Sequence, residues 1–208
     1  IIWQHIMQLK NFIVKSKILD DDLCDEIVKD SKDWRWEKHT WYSHNDDKST
    51  HSHQEKELDV VCVPNIPKEI NDKLLLGTES LWRLYQQILP SLLCESEEDS
   101  KPMAGFNMIK FWSSVRLNRY SQKTLMRSHY DHIQSLFDGN IRGIPILSAI
   151  GALNNSSDYE GGSLKFWDNY EVNLNKGEIL MFPSCFLYPH KVEEVITGKR
   201  YTFVSWGV

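Results

Sequence analysis

The segment 163-SLKFWDNYEVNLNKGEILMF-182 indicates the fold class, because it places two short strand patterns on either side of a turn. Residues 163–167 and 178–182 are rich in aliphatic and aromatic side chains, which favour strands, and Lys176-Gly177 between them is a turn signal. The same pattern predicts further strands at 105–112, 115–120, 125–131, 145–154, 188–195 and 200–206. Short strands at regular spacing are typical of a β-sandwich or a β-barrel. We therefore expect a mainly β fold.

The N-terminal half predicts flanking helices on the outside of this β-structure. Residues 20–31 open with acidic side chains, which suit the positive end of a helix. Residues 67–93 carry apolar side chains at spacings of three and four, as expected of one helix or of two with a break near Gly77. Additional short strands or extended segments are expected at 12–18, 34–43 and 58–63.

A polar loop separates two of these segments, at residues 44–57. A polar segment of this length within a compact domain is often a binding loop or a lid. We interpret it as a substrate lid that carries His44, His51 and His53. The alternative is a second metal site around His51-x-His53, although the flanking sequence offers no fixed scaffold for one.

Composition indicates one packed domain and argues against several classes of protein. The chain has 208 residues, of which 41% are hydrophobic and 12% aromatic, so it is long and apolar enough to bury a substantial core. We expect a single domain over residues 1–208, with helices and flanking strands in 1–102 and the β core in 103–208. The net charge of −5 gives no basic footprint, so we expect no nucleic-acid partner. No apolar run approaches the roughly 18 residues of a membrane span, so we expect no membrane association.

Cysteine usage points to a reducing compartment. The four cysteines form no CxxC pair, which favours free thiols and a cytoplasmic location. The chain begins with Ile1 rather than Met, which leaves room for a preceding segment.

Three potential metal ligands lie within 127-RSHYDHI-133, namely His129, Asp131 and His132. Side chains alternate between the two faces of a strand, so His129 and Asp131 share a face if the strand continues that far, whereas His132 points the other way. Two histidines and a carboxylate form the facial triad that suits non-haem Fe(II). Outside the N-terminal half and this cluster, the only other histidine is His190, on a late predicted strand.

One basic residue stands out on the last predicted strand. Arg200 shares a strand face with Thr202, Val204 and Trp206, whereas Lys199 points to the opposite face. A lone arginine on an otherwise apolar inward face requires an anion. A dicarboxylate cosubstrate would provide one, held in a bidentate grip.

With these residues, the sequence resembles the Fe(II)- and 2-oxoglutarate-dependent oxygenases, and within them the prolyl 4-hydroxylase branch. The resemblance covers approximately residues 103–208 and, more loosely, 12–28. It rests on an ordered set of motifs: 119-RY-120, 129-HYD-131, 153-LN-154, 159-YEGGSLKF-166, 177-GEILMFP-183, 189-PHKV-192 and 198-GKRYTFVSW-206. The fold that it implies is a double-stranded β-helix, which is a cupin-like jelly roll, with its catalytic core in 103–208.

The resemblance assigns roles to individual residues. It implies that His129, Asp131 and His190 bind the metal and that Arg200 binds the C5 carboxylate of 2-oxoglutarate. Tyr120 and Trp206 match aromatic residues near the cosubstrate in relatives, and core packing is the alternative for both. The chain departs from some relatives at Ala152, where they carry a tyrosine before Leu-Asn, and this removes one hydroxyl contact to the cosubstrate.

The activity that the resemblance implies is hydroxylation of a C–H bond with Fe(II), 2-oxoglutarate and O2, with release of succinate and CO2. Ascorbate is a further cofactor that it suggests. We expect prolyl 4-hydroxylation of a peptide or protein by a monomer or a weak dimer. The alternatives are the same chemistry on a free amino acid, a small metabolite or a nucleobase, and a catalytically silent jelly-roll binding module.

Overall fold

Fifteen β-strands, two complete α-helices and two short 3-10 helices (Ser31–Asp33 and Ser156–Asp158) form the regular structure of the described residues in a computed structural model. The described residues are 9–43, 48–50, 55–93, 108–132 and 144–208. The helices are α1 (Asp21–Asp30) and α2 (Lys68–Leu93). The strands are β1 (Val14–Lys17), β2 (Glu37–Lys38), β3 (Trp41–Ser43), β4 (Lys48–Thr50), β5 (Asp59–Cys62), β6 (Arg116–Tyr120), β7 (Met126–His129), β8 (Leu147–Ala152), β9 (Tyr159–Gly161), β10 (Leu164–Phe166), β11 (Tyr170–Val172), β12 (Glu178–Pro183), β13 (His190–Val192), β14 (Val195–Gly198) and β15 (Arg200–Gly207).

Both helices lie where the sequence predicts them. Helix α1 opens with Asp21 and Asp22 and buries Cys24 and Ile27. Helix α2 is one continuous helix, so the alternative with a break near Gly77 is wrong. Gly77 is used for close packing instead, because a Cβ atom there would lie 2.6 Å from Leu19 Cδ2.

The main sheet has seven antiparallel strands in the order β1-β12-β8-β15-β6-β5-β2. Its strands come from both ends of the chain, so the N-terminal strand β1 borders the late strand β12. A second sheet of four strands has the order β11-β10-β13-β7, and two smaller sheets pair β14 with β9 and β3 with β4. All of these sheets are open in the described part of the chain.

Two apolar clusters pack on opposite faces of the seven-stranded sheet. The first joins the sheet to the helices, through residues such as Ile27, Leu74 and Phe203. The second fills the space between the two larger sheets, with Leu180 and Val204 on one side and Phe166 and Val192 on the other. This is a mainly β fold of the sandwich type with helices on one outer face, as the sequence predicts.

The structure corrects three of the predicted strands. Of 105–112, only residues from Met108 are described, and they form no strand beyond a single bridge between Trp112 and Gly207. The predicted strand 188–195 is two strands, β13 and β14, which lie in different sheets. The predicted strand 125–131 ends at His129.

The polar segment 44–57 is not wholly a loop, since Lys48–Thr50 forms β4 and pairs with β3. Residues 44–47 and 51–54 lie outside the described residues, and with them His44, His51 and His53. The lid therefore stays a prediction.

Cys24, Cys62 and Cys185 are free thiols, and Cys94 lies outside the described residues. Neither helix α1 nor helix α2 combines the length and the apolar character that crossing a membrane requires.

Candidate active site

Two histidines and an aspartate meet where the two larger sheets face each other. His129 is the last residue of β7 and His190 is the first of β13, and the two are direct partners in the antiparallel ladder. Their ring centroids lie 4.3 Å apart. Asp131 follows β7 and turns back toward both rings, with Oδ1 3.4 Å from His129 Nε2 and Oδ2 3.9 Å from His190 Nε2. Ligand atoms of all three residues lie within 4.8 Å of one another.

The backbone fixes which ring nitrogen each histidine presents. His129 Nδ1 lies 2.7 Å from the carbonyl oxygen of Arg127, and His190 Nδ1 lies 3.2 Å from that of Tyr188. A carbonyl oxygen only accepts hydrogen bonds, so Nδ1 carries the proton and donates in both rings. Each Nε2 therefore presents its lone pair toward Asp131, in the tautomer that a metal ligand requires.

Asp131 is held by a buried pair of serines on the main sheet. Ser148 Oγ donates to Asp131 Oδ2 at 2.6 Å and lies 2.7 Å from Ser184 Oγ. Burial raises the pKa of Asp131, but the adjacent rings of His129 and His190 and the hydrogen bond from Ser148 lower it by more, so the pKa lies below its ordinary value. The carboxylate is therefore ionised at neutral pH, as a metal ligand must be.

His190 is buried with 5% of its surface exposed. Burial, reinforced by the neighbouring His129, lowers the pKa of His190 to about 4. The imidazole is neutral at pH 7, so its Nε2 lone pair is available without loss of a proton.

His132 lies outside this group, although not for the reason that strand alternation gives. Because β7 ends at His129, alternation does not extend to Asp131 or His132. The backbone N–H of His132 donates to the carbonyl oxygen of Ser184 at 3.0 Å, and its side chain is exposed. Among the described residues, the group of His129, Asp131 and His190 is the only set of three or more His, Cys, Asp or Glu side chains with the spacing of a metal site.

Arg200 is a buried cation with unused hydrogen-bonding capacity. Only 3% of its surface is exposed, and its Nη1 has no hydrogen-bond partner. The buried hydroxyl of Thr202, two residues further along the same face of β15, also has no partner. Unpaired buried donors are costly, so this pair of groups indicates an anion as the intended ligand.

Tyr120 lies beside Arg200 and also lines the cavity that contains His129, Asp131 and His190, which are the three candidate metal ligands. It pairs with Arg200 across β6 and β15, and the guanidinium carbon of Arg200 lies 5.0 Å from the centroid of its ring. Burial raises the pKa of Tyr120, opposed by the charge of Arg200, so the phenol stays protonated and can donate to an anion. Ala152 lies opposite Thr202 on the neighbouring strand, which places a methyl group beside the unpaired hydroxyl.

One cavity contains the three ligands together with Tyr120 and Trp206. Its remaining walls are supplied by strands of both sheets, through Arg116, Asn118, Met126, Ser148, Ala149, Ile150, Val192 and Val204. The sequence patterns gave no prediction that Arg116, Asn118 and Ser148 line this cavity. Arg116 and Asn118 could have been found from alternation, because they occupy the same face of β6 as Tyr120.

A further group supports His129 from outside this cavity. Trp41 packs edge-on against the His129 ring, with centroids 5.6 Å apart, and its Nε1 donates to Glu57 Oε1 at 2.9 Å. Arg127 covers the Trp41 ring at 4.5 Å. Glu57 is only 3% exposed, although it lies within a segment whose composition predicts a solvated loop. The local sequence gives no signal for this burial.

Comparison with protein families gives a match over the C-terminal part of the chain. Residues 115–207 match the family model described as the 2OG-Fe(II) oxygenase superfamily. The matched range contains His129, Asp131, His190, Arg200, Tyr120 and Trp206.

Curated relatives are bacterial PKHD-type hydroxylases. One from Crocosphaera subtropica is 36% identical over 96 residues, which are 45% of this chain and 41% of the relative. Another from Shewanella baltica is 32% identical over 127 residues, which are 59% of this chain and 53% of the relative. The chain thus spans about half the length of the curated relatives that it matches.

Solved structures share the fold at low sequence identity. A Pseudomonas putida prolyl-4-hydroxylase has a TM-score of 0.60 at 16% identity, over 94% of this chain and 92% of that chain. A Trichoplax adhaerens prolyl hydroxylase, in complex with a fragment of the hypoxia inducible factor oxygen degradation domain, has a TM-score of 0.60 at 15% identity, over 99% and 92%. These similarities confirm the predicted jelly-roll type of fold.

Proposed function

We propose that this chain, whose residues 115–207 match the family model of the 2OG-Fe(II) oxygenase superfamily, hydroxylates a C–H bond of a peptidyl proline with Fe(II), 2-oxoglutarate and O2. Residues 103–208 would form the catalytic core of a single domain over 1–208. A peptide or protein is therefore the proposed partner.

The observation that carries this proposal is the proximity of two complementary features, because Tyr120 lines the cavity of His129, Asp131 and His190 and is the direct strand partner of Arg200. Two imidazoles and a carboxylate with ligand atoms within 4.8 Å of one another form a donor set that suits Fe(II). Arg200 and Thr202, with unpaired buried donors, suit the distal carboxylate of 2-oxoglutarate. The residues present therefore fit both the metal and the cosubstrate.

In this mechanism the chain itself binds, orients and shields. His129 and His190 would offer Nε2 and Asp131 a carboxylate oxygen, while Ser148 holds the carboxylate in place. Arg200 would fix the C5 carboxylate of the cosubstrate, with Tyr120 beside it as a donor. When bound, Fe(II), 2-oxoglutarate and O2 supply the oxidising chemistry that hydroxylates an unactivated C–H bond and releases succinate and CO2.

The apolar walls of the cavity serve a separate purpose. Met126, Ile150 and Val204 are nearly fully buried and line the space around the three ligands. They keep bulk water from the reacting atoms, which strengthens electrostatic interactions within the site and limits side reactions.

Proline in a peptide is the proposed substrate because the structural neighbours include prolyl hydroxylases, one of them in complex with a peptide fragment. The same site chemistry would serve a free amino acid, another small metabolite or a nucleobase, and these are the competing substrates. The fold alone does not select among them. The buried donors of Arg200 and Thr202 that lack hydrogen-bond partners argue against a silent binding module. A module that does not bind the cosubstrate would gain nothing from these two unpaired groups in its core.

The test is incubation of the protein with Fe(II), 2-oxoglutarate, O2 and proline-containing peptides, with and without ascorbate. We expect iron-dependent formation of succinate together with a gain of one oxygen atom in the peptide, located on proline by fragmentation mass spectrometry. The Asp131→Ala variant should form neither product.

Succinate without an oxidised peptide would overturn the peptide substrate but not the oxygenase chemistry. Free amino acids and nucleobases tested in the same assay would then identify the alternative. Absence of succinate from protein that demonstrably binds Fe(II) would overturn the catalytic proposal and favour the silent module.

A further inference from the structure

A second arginine faces the cavity of the three ligands. Arg116 lies on β6 and lines this cavity beside Asn118 and Tyr120, which share its face of the strand. Its neighbours in sequence on β6, Leu117 and Arg119, are directed to the other face of the sheet. Leu117 belongs to the apolar cluster under the helices, which confirms the direction of this alternation.

The Arg116 guanidinium is held in a fixed orientation. Its Nε donates to Asn118 Oδ1 at 3.0 Å, and its central carbon lies 5.1 Å from the centroid of the Trp206 ring. These contacts use Nε and one face of the guanidinium. They do not neutralise its positive charge, because neither Asn118 nor Trp206 is acidic. Within the described ranges, no carboxylate lies within 4.0 Å of an Arg116 nitrogen.

Other arginines near the site differ from Arg116 in this respect. Arg119 donates two hydrogen bonds to Asp59 Oδ2, at 3.0 and 3.1 Å, and covers the Trp36 ring at 4.4 Å. Arg127 lies 3.9 Å from Glu57 Oε1. Arg116 therefore combines a position in the cavity wall with the lack of an acidic partner among the described residues.

The cosubstrate does not account for Arg116. Arg200 pairs with Tyr120 across β6 and β15, whereas Arg116 pairs with Val204, four residues further along. At about 3.3 Å per residue, the two positions are roughly 13 Å apart along the strand. In the proposed function, 2-oxoglutarate occupies the Arg200 end and the metal, so the charge at the Arg116 end is left for a different anion.

We propose that Arg116 binds a carboxylate of the primary substrate, next to the residue that is oxidised. This inference rests on the proposed function and narrows its substrate class to carboxylate-bearing molecules. The carboxylate has two sources, an Asp or Glu side chain beside proline within a peptide, or the main-chain carboxylate of a C-terminal or free proline. The guanidinium plane, pre-oriented by Asn118 and Trp206, suits a bidentate contact with either.

The test measures binding rather than turnover, with Fe(II)- and 2-oxoglutarate-loaded protein under anaerobic conditions. The probes are a peptide with Glu beside an internal proline, the same peptide with Gln in place of Glu, and a peptide ending in proline with a free or an amidated C-terminus. We expect the carboxylate form of one pair to bind roughly 10- to 100-fold more tightly than its amide form, the range of a charge-assisted hydrogen bond. The pair that discriminates identifies the source of the carboxylate.

Matched variants locate the effect. Arg116→Gln should abolish the discrimination, and Arg116→Lys should retain part of it, because the charge stays while the bidentate geometry is lost. Arg119→Gln, which removes an arginine from the opposite face of the same strand, should leave the ratio of the two affinities unchanged.

Equal affinities of the wild-type protein for carboxylate and amide forms, including no measurable binding of all four peptides, would overturn the inference. So would discrimination that persists in Arg116→Gln, or an effect of that variant on 2-oxoglutarate affinity alone. Failure of the proposed function would give a different result. The wild-type protein would then form no succinate in an iron-dependent reaction, whether or not a peptide is present.

Discussion

His129 and His190 share a local arrangement in which Nδ1 donates to the carbonyl oxygen two residues earlier in the chain. The pattern fixes the tautomer in which these two histidines present Nε2 toward Asp131. The sequence sufficed to nominate His129, Asp131 and His190, because the motifs that resemble those of the oxygenase family contain all three. It did not predict Ser148 or Glu57, which act through contacts between segments distant in the chain.

Removal of either histidine ligand should sharply weaken metal binding. We expect His129→Ala and His190→Ala to lower Fe(II) affinity by about 100-fold or more. Loss of a residue that only hydrogen-bonds to a metal ligand already lowers metal affinity by about 10- to 100-fold. Competition titration with a chelating dye under anaerobic conditions would measure this. His132→Ala is the control and should bind Fe(II) as the wild type does. A comparable loss in His132→Ala would show that the ligand assignment is wrong.

His39 is a buried imidazole that should make the fold sensitive to acid. It is 7% exposed, its Nδ1 has no partner, and burial, followed by the charges of Arg116, His129 and Arg127, lowers the pKa of His39 to about 2. Its nearest carboxylate oxygen, on Glu57, lies 3.7 Å away, beyond hydrogen-bonding distance. Below the unfolded pKa of about 6.5, the unfolded chain therefore binds a proton that the folded chain does not.

The contribution of neutral His39 to stability is thus complete above pH of about 6.5 and is lost as the pH falls toward the folded pKa. Between pH 7 and pH 5, the free energy of unfolding should decline less in His39→Gln than in the wild type. The difference between the two slopes should be up to about 1.4 kcal/mol per pH unit. Urea titrations of metal-free protein at several pH values would show this, with His132→Gln as the control. Equal slopes for wild type and His39→Gln would mean that folding does not lower the pKa of His39.

At the scale of elements, strands with strong alternation or long apolar runs, such as β8, β12 and β15, were predictable to within a few residues. The strand ends were predicted wrongly where tertiary contacts, rather than the local sequence, end a strand. Sequence patterns run continuously through 125–131 and 188–195. In the structure, β7 ends at His129 because Asp131 turns toward His129 and His190, and β13 and β14 belong to different sheets. A local pattern carries no information about which sheet a strand joins.

Strand β8 contains a glycine whose role is steric. A Cβ atom at Gly151 would lie 1.9 Å from Phe203 Cε1, on the neighbouring strand β15, and both residues are fully buried. Gly151→Ala should therefore lower the free energy of unfolding by about 1 to 3 kcal/mol through overpacking. Chemical denaturation would measure the loss.

The double variant Gly151→Ala/Phe203→Leu provides the control for this prediction. If the aromatic ring is the cause, the two substitutions should be less destabilising together than the sum of their separate effects. Strict additivity would contradict the steric account.

At the scale of the whole molecule, the helices and the candidate site lie on opposite faces of the same seven-stranded sheet. Leu74 of α2 is fully buried against the face of the sheet that packs on the helices, in a cluster that includes Met181 and Phe203, while the opposite face of that sheet lines the cavity. The strand and helix patterns of the sequence predicted this layered arrangement only in outline. The order of the seven strands could not be predicted, because it depends on pairings such as β1 with β12 between opposite ends of the chain.

This shared sheet predicts cooperative unfolding of residues 1–208 as one domain. Leu74→Ala should lower the free energy of unfolding by about 2 to 5 kcal/mol, the usual range for a fully buried leucine, and leave Fe(II) affinity unchanged. Far-ultraviolet circular dichroism and tryptophan fluorescence should report coincident transitions in wild type and variant. Two separate transitions would indicate that 1–102 and 103–208 unfold independently.

The central claim is that one site joins a metal held by His129, Asp131 and His190 to a carboxylate anchor at Arg200. The most direct measurement is calorimetric titration of 2-oxoglutarate into anaerobic Fe(II)-loaded protein and into metal-free protein. We predict one 2-oxoglutarate per chain, with tight binding only when Fe(II) is present. Arg200→Ala should weaken binding by roughly 2 to 5 kcal/mol, whereas Lys199→Ala, on the exposed side, should bind as the wild type does. Equal binding with and without Fe(II), or unchanged binding in Arg200→Ala, would contradict this account.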